Sequence, residues 1–170
     1  GFHTQKGERL EVYDSGSDLV VVDLDLNEII PFPEGFPNEF RTFPVFSASG
    51  DAVYYCNATR MTVPDSIYNL RYDLLKIPFD PTAGTWGNKV DTVVRASAMG
   101  LSVCHPKTSP DGRYLLFSMA RYGTFPIWHQ ETDLWLLDLH TGETNKLEEA
   151  NSSYSDTYHS WSSNSRWFVF

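Results

Sequence analysis

The sequence predicts an all-β fold, a segment of a β-propeller built from four-stranded antiparallel blades, two of them whole and two of them half. Three observations lead there. A tight turn followed by a strand recurs, in its clearest copy as Ser109-Pro110-Asp111-Gly112-Arg113 running into Tyr114-Leu115-Leu116-Phe117. A second unit, Asp133-Leu134-Trp135-Leu136-Leu137-Asp138-Leu139 followed by His140-Thr141-Gly142-Glu143, recurs between the copies of the first. Helix signals are nearly absent. Strands that are apolar on both faces, in meanders whose equivalent turns return once per four strands, imply sheets stacked face to face, and a propeller stacks them radially. A β-sandwich also stacks sheets, but it gives no reason for that periodic return.

The turn has a clear local chemistry. Proline presets φ at its second position, the Ser109 and Asp111 side chains can bond nearby backbone, and Gly112 takes the positive φ that closes it. Pro44-Val45-Phe46-Ser47-Ala48-Ser49-Gly50-Asp51-Ala52-Val53-Tyr54-Tyr55 aligns without a gap on Pro106 to Phe117, and His159-Ser160-Trp161-Ser162-Ser163-Asn164-Ser165-Arg166-Trp167-Phe168-Val169-Phe170 aligns on both. The last copy carries Ser165 where the others have glycine, so its turn is the most strained.

The second unit aligns with Asp18-Leu19-Val20-Val21-Val22-Asp23-Leu24-Asp25-Leu26-Asn27-Glu28, where Asn27 stands opposite Gly142. Its middle copy is Asp73-Leu74-Leu75-Lys76-Ile77-Pro78-Phe79, with Pro78 in place of the second aspartate and a longer turn from Asp80 to Thr85. The cycle is therefore strand A, the serine turn, strand B, a long connection, strand C, a short turn and strand D. The chain holds a half blade at about 9–33, a blade at about 41–95, a blade at about 102–148 and a half blade at about 155–170. Ile67, Leu70, Leu74, Leu75 and Ile77 have helix-like spacing, with Asp65 and Ser66 as a cap. Strand is preferred there, because the repeat aligns Asp73 with Asp133 and because Pro78 would damage a helix interior. Lys146 to Ala150 is too short to form a helix alone.

At 170 residues, with 41% hydrophobic content, the chain is one domain with ample material for a core. Its net charge of −9 and lack of any basic run argue against a nucleic acid or an anionic membrane surface as partner. No run of 18 apolar residues exists to insert into a membrane. Cys56 and Cys104 read as buried free thiols, with a single disulfide as the alternative.

Catalytic chemistry is hard to place. The pair Cys104-His105 lacks a second cysteine or histidine at ligand spacing, so no metal and no cofactor is expected. No Gly-x-Ser-x-Gly, phosphate loop or His-Glu-x-x-His is present. Asp18, Asp23, Asp133 and Asp138 recur at equivalent places, and a residue repeated in every blade serves the blade. No catalytic residue is assigned. The B–C connections, Asn57 to Tyr72 and Met119 to Thr132, are long and rich in arginine and aromatics. Long loops in compact domains tend to carry function. Ile67-Tyr68 and Ile127-Trp128 are expected to pack on their blades, leaving Arg60, Arg121, Tyr122 and His129 as partner-binding candidates.

The motif Pro-x-x-Ser-Pro-Asp-Gly-Arg-Tyr-Leu-Leu-Phe followed by Asp-Leu-Trp-Leu-Leu-Asp-Leu resembles the WD-repeat-like blade of TolB-like β-propeller proteins, and the last copy resembles exported proteins of the Bacteroides group. The likeness covers nearly the whole chain, although Ser47-Ala48-Ser49-Gly50 and Ser162-Ser163-Asn164-Ser165 lack the Pro-Asp pair. It implies that strand A is innermost, so Arg41, His105, Tyr158 and His159 would line the central channel. It also implies a periplasmic or exported location and a non-catalytic module that binds a protein or peptide partner or acts as a scaffold. The alternative is the gating propeller of a prolyl-oligopeptidase-like serine peptidase whose catalytic domain lies outside these residues. A propeller glycosidase would need facing carboxylates, and strand A offers mainly Asp156. Rings of this kind close with about six or more blades. The chain is then expected to be a piece of a longer protein, with a homodimer completing the ring as the alternative.

Overall fold

The computed structural model describes residues 16–36, 38–63, 66–123 and 125–170. Among these, regular structure is β throughout apart from three short 3-10 turns. Strands β1 (Val20–Asp23) and β2 (Glu28–Pro31) form an antiparallel pair, the C and D strands of a half blade. The first whole blade runs β3 (Glu39–Phe46), β4 (Ala52–Thr59) and β5 (Asp73–Asp80), with the fourth strand split into β6 (Thr85–Trp86) and β7 (Asp91–Val94). The second is β8 (Ser102–Thr108), β9 (Tyr114–Ala120), β10 (Asp133–Asp138) and β11 (Thr144–Lys146), hydrogen-bonded in that order. A pair, β12 (Ser160–Trp161) and β13 (Phe168–Val169), supplies the A and B strands of a last half blade. The chain is an all-β propeller segment of antiparallel four-stranded blades. Residues 9–15, assigned above to the first half blade, lie outside the described residues. No helix among the described residues is long and apolar enough to cross a membrane.

The A–B turns are built alike three times. The N–H of Ser47, Ser109 and Ser162 donates to the carbonyl of Ala52, Tyr114 and Trp167, each at 2.8 Å. The serine hydroxyl then accepts the N–H of that same residue, at 3.1, 2.8 and 3.0 Å. It donates in turn to Asp51, Asp111 or Asn164. Gly50, Gly112 and Ser165 close the turns at φ 76, 75 and 59°. Ser165 is the strained copy, yet its hydroxyl accepts the Asp111 N–H of the neighbouring blade at 2.8 Å. A Cβ on Gly112 would stand 3.3 Å from the Ala48 Cβ, so adjacent turns abut and set the blade spacing.

The C–D turns repeat as well. The Asp23 carboxylate accepts the N–H of Asp25 and Leu26, and that of Asp138 accepts His140 and Thr141. In the middle copy the role falls to Asp80, which accepts Thr82 and Ala83, and not to the position of Pro78. Strand β5 is two residues longer than β10, which carries the aspartate past the gapless alignment. Pro78 explains the split fourth strand: it has no N–H to donate, so β7 pairs with Leu74–Lys76, β6 with Phe79 and Asp80, and the chain steps aside between them. Gly87 allows the step, because a Cβ there would lie 2.9 Å from that of Pro78.

Alternation alone would not show how deeply the B strands are buried. Leu115 to Ala120 are all buried, as are Ala52 to Cys56, because β4 and β9 each have a whole or half blade on both faces. Leu74, Val103, Leu115, Phe117 and Met119 belong to a core shared between the whole blades, and Leu19, Phe32, Val53, Tyr55, Ile77 and Phe79 to one shared with the first half blade. Each such side chain contributes about 1.5–3 kcal/mol on burial. The helix-like spacing around Ile67 yields a single 3-10 turn, Ile67–Asn69, before β5 begins. Cys56 and Cys104 are free and buried, and burial pushes both thiols well above their ordinary pKa.

Candidate functional site

Strand A is kinked at one place in each blade. The β3–β4 register shifts between Thr42 and Val45, and the β8–β9 register between Cys104 and Lys107. At that bulge Phe43 and His105 both have φ 50°, and Tyr158, the equivalent residue in the last half blade, has φ 56°. Left-handed backbone costs a bulky L-residue about 1–2 kcal/mol. The bulges aim three rings at one another: Phe43 and His105 have centroids 4.4 Å apart, and His105 and Tyr158 4.9 Å apart. Adjacent A strands are close enough to exchange hydrogen bonds, from Thr108 Oγ1 to the Phe46 carbonyl at 2.8 Å and from Trp161 Nε1 to the Lys107 carbonyl at 3.0 Å. The rings thus form a row across adjacent A strands.

His105 is held at its Nδ1 by the Thr157 hydroxyl at 3.0 Å, and Ser118 donates to that hydroxyl at 3.1 Å. Burial, helped by the Lys107 charge, pushes the His105 pKa down to about 4. This ring is neutral at pH 7. The relay is no nucleophilic triad, because Ser118 is fully buried and the carboxylate of Asp156 is engaged with Ser152.

The residues that the resemblance assigns to the channel divide into two groups. His105 and Tyr158 join the row. His159 and Arg41 are buried instead. His159 sends Nε2 to the Leu116 carbonyl at 3.0 Å, and burial lowers its pKa to about 4, although that carbonyl acts in the other direction. Arg41 ties the half blade to the first whole blade through Asp18 and Glu39, each at 2.9 Å, and the Phe36 carbonyl, with its guanidinium 4.5 Å from the Phe32 ring centroid. Phe43 was missed. Extending the repeat alignment one residue before Pro44, Pro106 and His159 places Phe43, His105 and Tyr158 in one column.

A second cluster lies at the opposite ends of the strands from the serine turns. The two B–C loops meet through aromatic rings, Tyr68 to Tyr122 at 5.0 Å and Tyr122 to His129 at 4.4 Å. His129, expected at the surface, is buried and sets Nδ1 3.3 Å from Glu131, which Arg121 also approaches at 3.7 Å. Burial pushes the Glu131 carboxyl up, but its own backbone N–H, His129 and Arg121 together hold it below the usual range. Tyr68, Ile127 and Trp128, expected to pack on their blades, are exposed, and so are Arg60 and Arg121. The reason is the 3-10 turn in each loop, which turns Ile67 or Pro126 inward and its successors out. Arg60 lies over the Phe40 ring at 5.4 Å. Tyr154, from the D–A connection, adds another exposed ring to the same end. The serine-turn end carries the exposed polar residues Asp25, Ser49, Asp51, Asp111 and Asn164 beside exposed Leu24, Leu26 and Trp167.

No protein-family model matches the sequence, and no curated protein matches it. Two of the solved structures similar to it are oligogalacturonate lyases. One is an oligogalacturonate lyase from Vibrio parahaemolyticus, 15% identical, with a TM-score of 0.44 over 77% of this chain and 29% of that one. The other is an oligogalacturonate lyase in complex with manganese, 11% identical, with a TM-score of 0.52 over 89% of this chain and 36% of that one. The latter likeness is one of fold, that of a β-propeller. This chain spans about a third of the length of either structure.

Among the described residues no three His, Cys, Asp or Glu side chains converge into a donor set for a metal such as manganese. The first cluster is a row of edge-to-face and tilted rings of which Tyr158 is exposed, and the second sets exposed rings beside an arginine.

Proposed function

We propose that this chain is part of a TolB-like propeller that holds a protein or peptide partner in the bacterial cell envelope and breaks no bonds itself. The observation that carries the reading is the cluster of exposed side chains on the irregular loops: Tyr68, Ile127, Trp128 and Tyr154 stand at the loop end together with Arg121. The turn end exposes Leu24, Leu26 and Trp167 as well, but on short turns and strand ends rather than on long loops. Tyrosine, tryptophan and arginine are the residues in which binding energy concentrates at protein interfaces. Large apolar side chains grouped at one end of a molecule mark an interaction surface. The envelope location and the TolB-like affinity rest on the repeat motif.

A photo-crosslinking side chain placed at Trp128 or Tyr68 of the full-length protein in its native cells tests this. Covalent adducts with another protein are expected from these positions and not from Asp25 or Asn164. Adducts from the turn end alone, or from neither end, would refute the assignment. Hydrolysis of a peptide substrate by the purified full-length protein would overturn its non-catalytic part.

A further inference from the structure

The two half blades are complementary. β1 and β2 are a C and a D strand, β12 and β13 an A and a B strand, and among the described residues no strand pairs with the second edge of β1 or of β13. In both whole blades the B and C strands meet in one register. Tyr114 stands opposite Asp138 and Leu115 opposite Leu137, and at the equivalent places Ala52 and Val53 stand opposite Pro78 and Ile77. A backbone bond of 2.8 Å closes each register, from the Leu139 N–H to the Arg113 carbonyl and from the Phe79 N–H to that of Asp51. Carried onto the half blades by the repeat alignment, this register sets Trp167 opposite Asp23, Phe168 opposite Val22 and Val169 opposite Val21.

Charge fits that register. The Arg113 guanidinium lies 4.7 Å from the Tyr114 ring centroid and reaches Asp138 at 3.1 Å. Arg166 lies likewise 5.0 Å from the Trp167 centroid, yet among the described residues it meets no carboxylate. The register brings Asp23, the equivalent of Asp138, beside it. The apolar faces fit too, because residues opposite one another share a face of the sheet. Val21 packs toward the first whole blade and leaves Val22 open, whereas Trp161, opposite Phe168, stacks on Tyr114 of the second and leaves Val169 open. Joining the halves would set Val22 beside Phe168 and Val169 beside Val21, each against a whole blade. Their equivalents Leu137 and Leu116 are 3% and 0% exposed, against 49% for Val22 and 69% for Val169.

We propose that β13 of one copy of this chain pairs with β1 of a second copy in this register, with Arg166 on Asp23, to make a composite blade. Two whole blades stand between β1 and β13 within one copy, so the partner edge comes from another. Two copies then supply four whole blades and two composite ones, six in all, within the range of about four to eight in which propellers close. The join lies at strand edges, apart from the loop end to which a protein partner is assigned, so either can fail without the other.

The test uses the full-length protein. Sedimentation is expected to show twice the mass of one chain. Arg166→Glu should raise the dissociation constant of the dimer at least tenfold, while Arg113→Glu, which breaks the equivalent pair inside a blade, leaves it unchanged. Protein bearing Val22→Cys is also co-expressed with protein bearing Phe168→Cys, under different affinity tags. Mild oxidation should link the two on a non-reducing gel, and neither variant expressed alone should link to itself. A monomer overturns the proposal, and it is the result expected if further strands of the same chain complete the ring. A dimer that forms no link between positions 22 and 168, or one indifferent to Arg166→Glu, overturns it as well, because the contact then lies elsewhere.

Discussion

Replacing Ser109 by alanine removes a hydroxyl that performs two tasks at the start of β9. Its oxygen accepts the Tyr114 N–H at 2.8 Å and its proton goes to Asp111 at 2.6 Å. The serine is fully buried, so no water takes its place in the truncated side chain. The Tyr114 N–H is left without its partner, and an unmet donor of this kind costs about 1–3 kcal/mol. The expected effect of Ser109→Ala is therefore a loss of about 1–3 kcal/mol, seen as a lower urea midpoint with an unchanged slope. Ser47→Ala and Ser162→Ala break the same bonds in half-buried turns and should cost less. Asp111 supplies a second readout. The Ser109 hydroxyl, with the Arg113 N–H, holds its carboxyl below the ordinary range. The stability this gives is present above the unfolded pKa and lost as pH falls through the folded one, so the variant should show a flatter loss below about pH 4. A midpoint no lower than that of Ser163→Ala, an exposed serine of the last turn, would refute the view that the serine hydroxyl holds the strand start.

Two further outcomes follow from the packing. His105 and His159 stay neutral in the folded protein down to about pH 4, while in the unfolded chain they protonate near pH 6.5. Between those values the unfolded state binds more protons, so stability should fall as pH drops from about 6.5 to about 4, and His105→Gln with His159→Gln should flatten that slope in urea titrations at stepped pH. Gly87→Ala places a Cβ 2.9 Å from that of Pro78 and should destabilise by about 1–3 kcal/mol, measured by thermal unfolding, whereas Gly142→Ala meets open space and suffers only from its φ of 79°.

Much of the architecture was legible because it is local chemistry repeated. Ser109, Asp111 and Gly112 announce a turn wherever they sit, and their copies mark where strands begin. Asn27 opposite Gly142 was enough to place the left-handed residue of two C–D turns, at φ 54 and 79°. The site was less legible. His129 and Tyr68 were assigned opposite environments from those they occupy, because a 3-10 turn of three residues decides which side chain points inward and composition does not report it. Asp80 was overlooked as the middle copy of the turn aspartate because a gapless alignment cannot absorb a strand two residues longer.

By itself, the sequence determined the all-β class, the four-strand cycle and the positions of the turns, since turn chemistry is local and the repeat makes the cycle visible. Only the tertiary structure decided which residues share a site. Phe43, His105 and Tyr158 lie on three separate blades and meet because equivalent bulges converge on adjacent A strands. Arg41 and His159, in the same strands, turn away because Asp18, Glu39 and the Leu116 carbonyl hold them inside the blades. Period and turn chemistry act along the chain, whereas a cluster of side chains is made across it.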